Sequence, residues 1–312
     1  MRPSWRVLLA SALAALLTAA VVAAPSGAAT GTVSASCVPA TDIEAIIDDS
    51  GSMEYNDSNK LRVQGLDLLI NTLPGQTQLG AIEFGSGYSE QPAAVTVFPP
   101  QPVGPNAAAM EAALGAVINA DNGATDYNSA FAKADADNPD AQARIFLTDG
   151  AHNEGTYNEA HLAHNVPTYV VGFSPGLALP EDQARLQKIA SDTGGQLFAL
   201  EDSSQLQAVM NNVGAALTCQ TPPRTFTDKL KEGQSKVHSV PVGASTKVLN
   251  IVLSWTSPLD KFKLNHLKLI VNGKVVAAAR PKVAKLRVKR TNRATFALVK
   301  VSGLRKGKLR FA

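Results

Sequence analysis

The sequence predicts an α/β fold with a doubly wound, mostly parallel sheet, followed by a smaller all-β sandwich. Three observations carry that prediction. Up to about residue 219, short apolar runs alternate with helical patterns across polar loops, as expected of strands buried on both faces. Beyond about Phe226 the apolar period becomes two, the pattern of antiparallel strands. The charge changes at the same place. From residue 222 onward there are 21 Lys and Arg against 3 Asp and Glu, a net of +18, while the rest of the chain carries 8 basic and 23 acidic residues, a net of −15. A break of that size at "TPPR", residues 221–224, marks a domain boundary that the overall formal charge of +3 conceals. The expected organisation is therefore residues 1–29, 37–219 and 220–312.

The first of these segments opens with Arg2 and Arg6, runs through Ala, Leu and Val from about Val7 to Ala24, and closes on small residues. That is the layout of a secretory signal peptide, and its alanine-rich run followed by "PSGAAT" favours cleavage over an uncleaved anchor. No other stretch is apolar enough to span a bilayer, so an exported chain is expected, secreted or associated with the cell envelope. Cys37 and Cys219 fit that compartment. They flank the alternating region, and a disulfide between them would tie its ends together, worth roughly 5 kcal/mol by the chain-entropy estimate.

The elements of the first domain follow in order. "IEAIID" reads as a strand, and "NKLRVQGLDLLINTL" as a helix with Leu61, Leu68 and Leu69 on one face. "QLGAIEF" and "AVTVF" read as strands, "NAAAMEAALGAVINA" as a helix, and "ARIFLTDG" as a buried strand. Then come the strand "VPTYVVGF", the helix "PEDQARLQKIASDTG", the strand "GQLFAL" and a last helix across "SSQLQAVMNNVGAAL". In such sheets ligands sit outside the carboxyl ends of the strands.

That rule bears on "EAIIDDSGSM", residues 44–53, where an apolar strand ends in five consecutive polar or small residues. Asp, Ser and Gly are ordinary turn residues, so a plain turn is the first reading to beat. Yet Asp48 ends this strand and Asp149 ends "RIFLTD", so two carboxylates cap the same sheet edge and repel unless a cation lies between them. Thr125, in "NGATDYNSAF" just before a helix, adds a hydroxyl to those of Ser50 and Ser52. Such hard oxygen donors suit Mg2+ or Mn2+ rather than zinc or copper.

These residues resemble the metal-ion-dependent adhesion site of the von Willebrand factor type A domain, whose pattern is D-x-S-x-S, a distant Thr and a distant Asp. The chain supplies Asp48, Ser50, Ser52, Thr125 and Asp149 in that order, and the resemblance spans roughly residues 40–217. It implies a Rossmann-like fold in which Ser50, Ser52 and Thr125 touch the metal while Asp48 and Asp149 act through water. Neutral hydroxyls leave much of the ion's charge uncompensated, which makes the site a receptor for an acidic side chain of a partner protein.

Other chemistry is less well supported. A nucleophilic Ser50 would want G-x-S-x-G and an activating histidine, and its flanks are "DDS" and "GS". His152, His161 and His164 in "AHNEGTYNEAHLAH" lack a fourth zinc ligand. Asp49, Glu54 and Asp126 read as solvated loop acids, Glu83 as a strand residue beside the site, and Gly51 and Gly123 as loop glycines. A cation that only stiffens three loops is the plain alternative to a receptor.

In the second domain "KVHSVPV", "KVLNIVLSW", "HLKLIVNGKVVAAA", "KLRVKR" and "TFALVKV" read as strands, with Asn272-Gly273 as a hairpin turn and "GKLRFA" as a last strand with little chain after it. The run from "DKLKEGQSKVHSV" to "LIVNGKVVA" resembles the bacterial pre-peptidase C-terminal β-sandwich. Only Asp260 remains where that family carries an aspartate-rich run, which puts a calcium site there in doubt. Trp255 reads as a core residue. A net of +18 should attract polyanions such as anionic wall polymers, acidic polysaccharide or extracellular DNA, or dock the sandwich on the acidic first domain. Specific nucleic-acid recognition is not expected.

The functional expectation is an exported, non-enzymatic adhesion protein whose Mg2+ or Mn2+ engages a carboxylate of a protein partner, with the basic domain aiding envelope association. The rival readings are an accessory module of a secreted hydrolytic system, and polyanion binding by the second domain with a purely structural metal.

Overall fold

The computed structural model describes residues 37–312 apart from 86–92, 119–122, 160–161, 163–164, 174–179, 201–204, 222, 256, 258 and 279–283. The expected signal peptide, His161 and His164 lie outside the described residues. Among the described residues no helix is long and apolar enough to cross a membrane.

The alternating region forms β1 (Asp42–Asp48), α1 (Met53–Asn56), α2 (Leu61–Thr72), β2 (Gln78–Phe84), β3 (Ala94–Pro102), α3 (Val103–Val117), α4 (Tyr127–Asp137), β4 (Ala143–Thr148), β5 (Thr168–Phe173), α5 (Pro180–Asp192), β6 (Gln196–Leu200) and α6 (Leu206–Leu217). The sheet order is β3-β2-β1-β4-β5-β6, with every pairing parallel except that of the edge strand β3 with β2. The strand order reverses at β1, which lies between β2 and β4, so a crevice forms where their carboxyl ends meet.

Side chains alternate across β1 and divide between two cores. Ile43, Ala45 and Ile47 pack with residues of α2, α3 and α6 on one face, and Ile46 packs with residues of α4 and α5 on the other. Both faces are thereby covered, which is the doubly wound arrangement. Cys37 and Cys219 are disulfide-bonded with Cα atoms 5.9 Å apart, and nearby the Ala40 amide donates to the Leu217 carbonyl at 2.9 Å.

The basic region forms β7 (His238–Val242), β8 (Val248–Ser254), β9 (Lys268–Val271), β10 (Lys274–Ala278), β11 (Ala284–Lys285), β12 (Arg287–Asn292), β13 (Phe296–Ser302) and β14 (Gly307–Phe311). They make a five-stranded sheet, β11-β10-β9-β14-β7, and a three-stranded sheet, β12-β13-β8. All pairings are antiparallel except β10 with β11. Leu269, Leu309 and Phe311 of the first sheet share one core with Val299 and Val301 of the second. The β9–β10 turn is Asn272-Gly273, with φ of 48° and 77°, the left-handed pair that a two-residue hairpin requires. Trp255 is half-buried rather than a core residue: its indole N–H donates to the Ala294 carbonyl at 2.9 Å and its ring packs on Phe262.

The two halves touch through α2. Leu68 packs with Phe296 and Leu298, all three buried. Around them Gln64 accepts from the Thr295 amide at 2.9 Å, the Gln207 amide donates to the Thr295 hydroxyl at 3.1 Å, and Arg293 pairs with Glu111 and lies 3.7 Å from Asp67. Leu68 therefore departs from the expected single face shared with Leu61 and Leu69: those two enter the core beneath the sheet, while Leu68 points to the second domain. The helix is clasped from two sides, and an apolar stripe read from one helix cannot reveal two partners.

Candidate metal centre

The loop after β1 is held from both sides. The Asp49 amide donates to the Phe84 carbonyl at 2.7 Å, and the Gly51 amide donates to the Gly123 carbonyl at 3.2 Å. Gly85 allows the first contact: its φ is +122°, and a Cβ there would stand 2.3 Å from the Ser50 nitrogen. Gly51 and Gly123 join two loops, as loop glycines should, but the backbone conformation that excludes other residues belongs to Gly85.

This clamp brings the five expected side chains together. The Thr125 hydroxyl donates to Ser50 Oγ at 3.2 Å, the Ser50 and Ser52 hydroxyls lie 3.2 Å apart, and the Ser52 hydroxyl donates to Asp149 Oδ1 at 2.9 Å. Asp48 caps the group from below, accepting the Ser50 amide at 2.9 Å and the Thr148 hydroxyl at 2.6 Å. Asp48, Ser50, Thr125 and Asp149 are buried, and Ser52 is partly exposed. The opening of the site is therefore on the Ser52 side.

Burial pushes the Asp48 carboxyl up to about 7, with the nearby Asp149 charge adding to the effect. Burial also raises Asp149, opposed by hydrogen bonds from Asn56 and Ser52. Two carboxylates raised in this way are poorly compensated by the protein alone. Together with three hydroxyls they form an all-oxygen donor set, which fits a hard divalent cation.

Several supporting residues were not expected. Asn56 donates to Asp149 Oδ2 at 2.9 Å from the one-turn α1, a turn beyond Ser52. Thr148, the residue before Asp149, holds Asp48. Asn153 accepts the Thr125 amide at 2.8 Å and its own amide donates to the Thr125 carbonyl at 3.0 Å, fixing that loop. Only Thr148 and Asn56 carried a signal, through adjacency and helical spacing to the expected ligands.

Two of the acids expected to be solvated are not. Asp49 is buried and pairs with Arg62, whose Nη1 also donates to Asp57 at 3.1 Å. Asp126 is the N-cap of α4, accepting from the amides of Asn128 at 2.9 Å and Ser129 at 3.3 Å. Glu54 is exposed, as expected, and Glu83 lies buried on β2 opposite Ile47. His152 accepts the Tyr127 amide at 3.1 Å through Nδ1 while Ser50 Oγ faces two other hydroxyls, so no Ser–His pair forms between them.

Comparisons with known proteins agree with this architecture. The pattern of the von Willebrand factor type A domain matches residues 42–212. Similar solved structures include a von Willebrand factor type A protein from Catenulispora acidiphila, at 16% identity and TM-score 0.46, covering 88% of this chain and 57% of that one. The pilus adhesin SpaC from Lactobacillus rhamnosus GG, at 12% identity and TM-score 0.48, covers 88% of this chain and 39% of its own. Proximal thread matrix protein 1 from the mussel byssus, solved with a zinc-occupied MIDAS motif, is 20% identical with TM-score 0.46, over 58% of this chain and 48% of its own. This chain thus spans little more than half, or less, of each of these structures. No curated protein matches the chain. With the match extending over more than half of its residues, on the sheet that carries the clustered loops, the chain belongs to the von Willebrand factor type A domain family.

Proposed function

We propose that the chain is an exported, metal-dependent binding protein in which Asp48, Ser50, Ser52, Thr125 and Asp149 hold a divalent cation, Mg2+ or Mn2+, and offer it to a carboxylate of a partner protein. The observation that carries this reading is the convergence of five oxygen-bearing side chains from three loops, two of them buried carboxylates. A bound cation supplies positive charge with a coordination position left for an outside oxygen. Ser50, Ser52 and Thr125 contribute neutral donors; Asp149 orients the Ser52 hydroxyl and Asp48 fixes the Ser50 backbone. Ser52, as the partly exposed member, stands at the entry for the partner's carboxylate.

The basic second domain, residues 220–312, adds a contact with an anionic polymer of the cell envelope that does not depend on the metal. The disulfide suits an oxidising compartment outside the cytosol, in keeping with the amino-terminal signal.

Thermal unfolding with and without Mg2+ or Mn2+, beside Asp48→Ala and Thr125→Ala, tests the site. At a hundredfold excess over the dissociation constant the metal should stabilise the protein by about 2.7 kcal/mol, and both substitutions should abolish the shift. An unchanged midpoint together with a silent calorimetric titration overturns the metal reading. The receptor role is tested by partner capture in Mg2+ followed by chelator. Capture that survives chelation and Thr125→Ala leaves the cation a structural part only.

A further inference from the structure

The outer face of the three-stranded sheet is divided in two. One end, with Phe296, Leu298 and Val252, is covered by Leu68 of α2. Towards the other end the same face continues with Asn250 and Val248 of β8, Lys300 and Ser302 of β13, and Lys289 and Arg287 of β12. There a hollow of about 350 Å³ is lined by Val248, Arg287, Val288, Lys289, Lys300 and Ser302. Lys289 and Lys300 are direct cross-strand partners, and Arg287 is the partner of Ser302.

Like charges placed directly opposite one another destabilise a sheet. Among the described residues, none of Arg287, Lys289 and Lys300 forms an ion pair with a carboxylate, and the domain from residue 222 onward has only Asp228, Glu232 and Asp260 to offer. Of these, Asp228 is engaged by Lys236 and His238. Lys300 is partly buried in the hollow, and burial, with the Lys289 charge, holds its ammonium below the usual lysine range. Beside it the side-chain oxygen of Asn250 is buried without a hydrogen-bond partner. The face thus concentrates positive charge around a shallow, open hollow, and among the described residues no carboxylate pairs with it.

We propose that this hollow binds the phosphate groups of a base-free phosphodiester polymer, with Lys289, Lys300 and Arg287 as the cationic contacts and Ser302 as a hydroxyl donor. This inference rests on the reading of the second domain as a polyanion-binding module and gives that reading a location and a ligand chemistry. Two ammoniums act as point donors to phosphate oxygens, and the Arg287 guanidinium fork can take two oxygens of one phosphate. Arg287 and Lys289 stand about 6.6 Å apart along one strand, so they can meet successive charges of a linear chain. Nucleic acid is disfavoured because the lining holds no aromatic side chain on which a base could stack.

Binding of poly(glycerol phosphate) to the full chain, followed across a salt series, tests the proposal. The variant Lys289→Gln/Lys300→Gln is compared with Lys261→Gln/Lys263→Gln, which removes two exposed lysines elsewhere in the same domain. The hollow variant should bind at least about tenfold more weakly, with a salt slope reduced by about two, while the other variant stays near the parent. Equal losses in the two variants overturn the site and leave a diffuse polyanion contact standing. Absence of binding to any polymer at low salt removes both. Tighter binding of polygalacturonate, or of single-stranded DNA, than of the phosphate polymer overturns the ligand assignment. An unfolding midpoint no lower than the parent's in each variant confirms that each comparison is made on folded protein, and relief of the Lys289–Lys300 repulsion should raise that of the hollow variant.

Discussion

Glu44 holds a proton in the folded protein over a pH range in which the unfolded chain would release it. It sits fully buried on β1 opposite Arg144 of β4, its two carboxyl oxygens make no hydrogen bond, and the Asn138 amide nearby donates instead to Asp42 at 2.9 Å. Burial raises its pKa from the ordinary value of 4.5 to about 8. The folded state therefore binds more protons than the unfolded state between those values, so this residue's contribution falls as pH rises from about 4.5 through about 8. Replacing it as Glu44→Gln should flatten the decline in unfolding midpoint between pH 6 and pH 9, and a parallel decline in both proteins would assign the loss to other groups. Nothing in "IEAIID" singled out this glutamate, because period alone cannot tell a buried acid from one on an edge. The residues of the candidate metal site were legible for the opposite reason: Asp48, Ser50, Ser52, Thr125 and Asp149 form an ordered motif, after two predicted strands and just before a predicted helix. What the motif omitted were Asn56 and Thr148, which hold its two carboxylates from positions beside the motif, and Arg62, which is joined to the loop by folding rather than by spacing.

At the level of elements, α2 has the most demanding position. Its first turn holds Arg62 against Asp49 and Asp57, its middle supplies Gln64 and Leu68 to the second domain, and Leu66 and Leu69 fill the core under the sheet. Leu68→Ala should cost about 2–5 kcal/mol and separate the unfolding of the two domains in calorimetry. A single transition with an unchanged midpoint would mean that the polar contacts hold the interface without this side chain. Those contacts centre on Arg293, which answers Glu111 directly and faces Asp67, a carboxyl that burial and Glu111 push up to about 7. The strands and the longer helices of the first domain were legible from their lengths and the polar loops between them, whereas the one-turn α1 was not. The face each helix presents was less so, since a helix buried on several sides loses the polar stripe that would orient it.

Across the whole molecule the charge division was legible, but the small part that charge plays in joining the halves was not. Among the described residues, Arg293 supplies the ion pairs between the basic and acidic regions, and the remaining contact is apolar or made by amides and hydroxyls. Among the described residues the other cations of the basic region make no ion pair with the acidic region. The Cys37–Cys219 bond closes a loop with a sequence separation of 182, and its reduction should lower stability by roughly 2–5 kcal/mol. Unfolding of the chain with and without reductant measures this, and an unchanged midpoint would assign closure to the packing of β1 and α6 alone. The same bond has a mechanical meaning. Tension applied between the chain before Cys37 and the chain after Cys219 passes through the two sulfurs, so the central sheet and the loops of the candidate metal centre carry none of that load while the bond is intact.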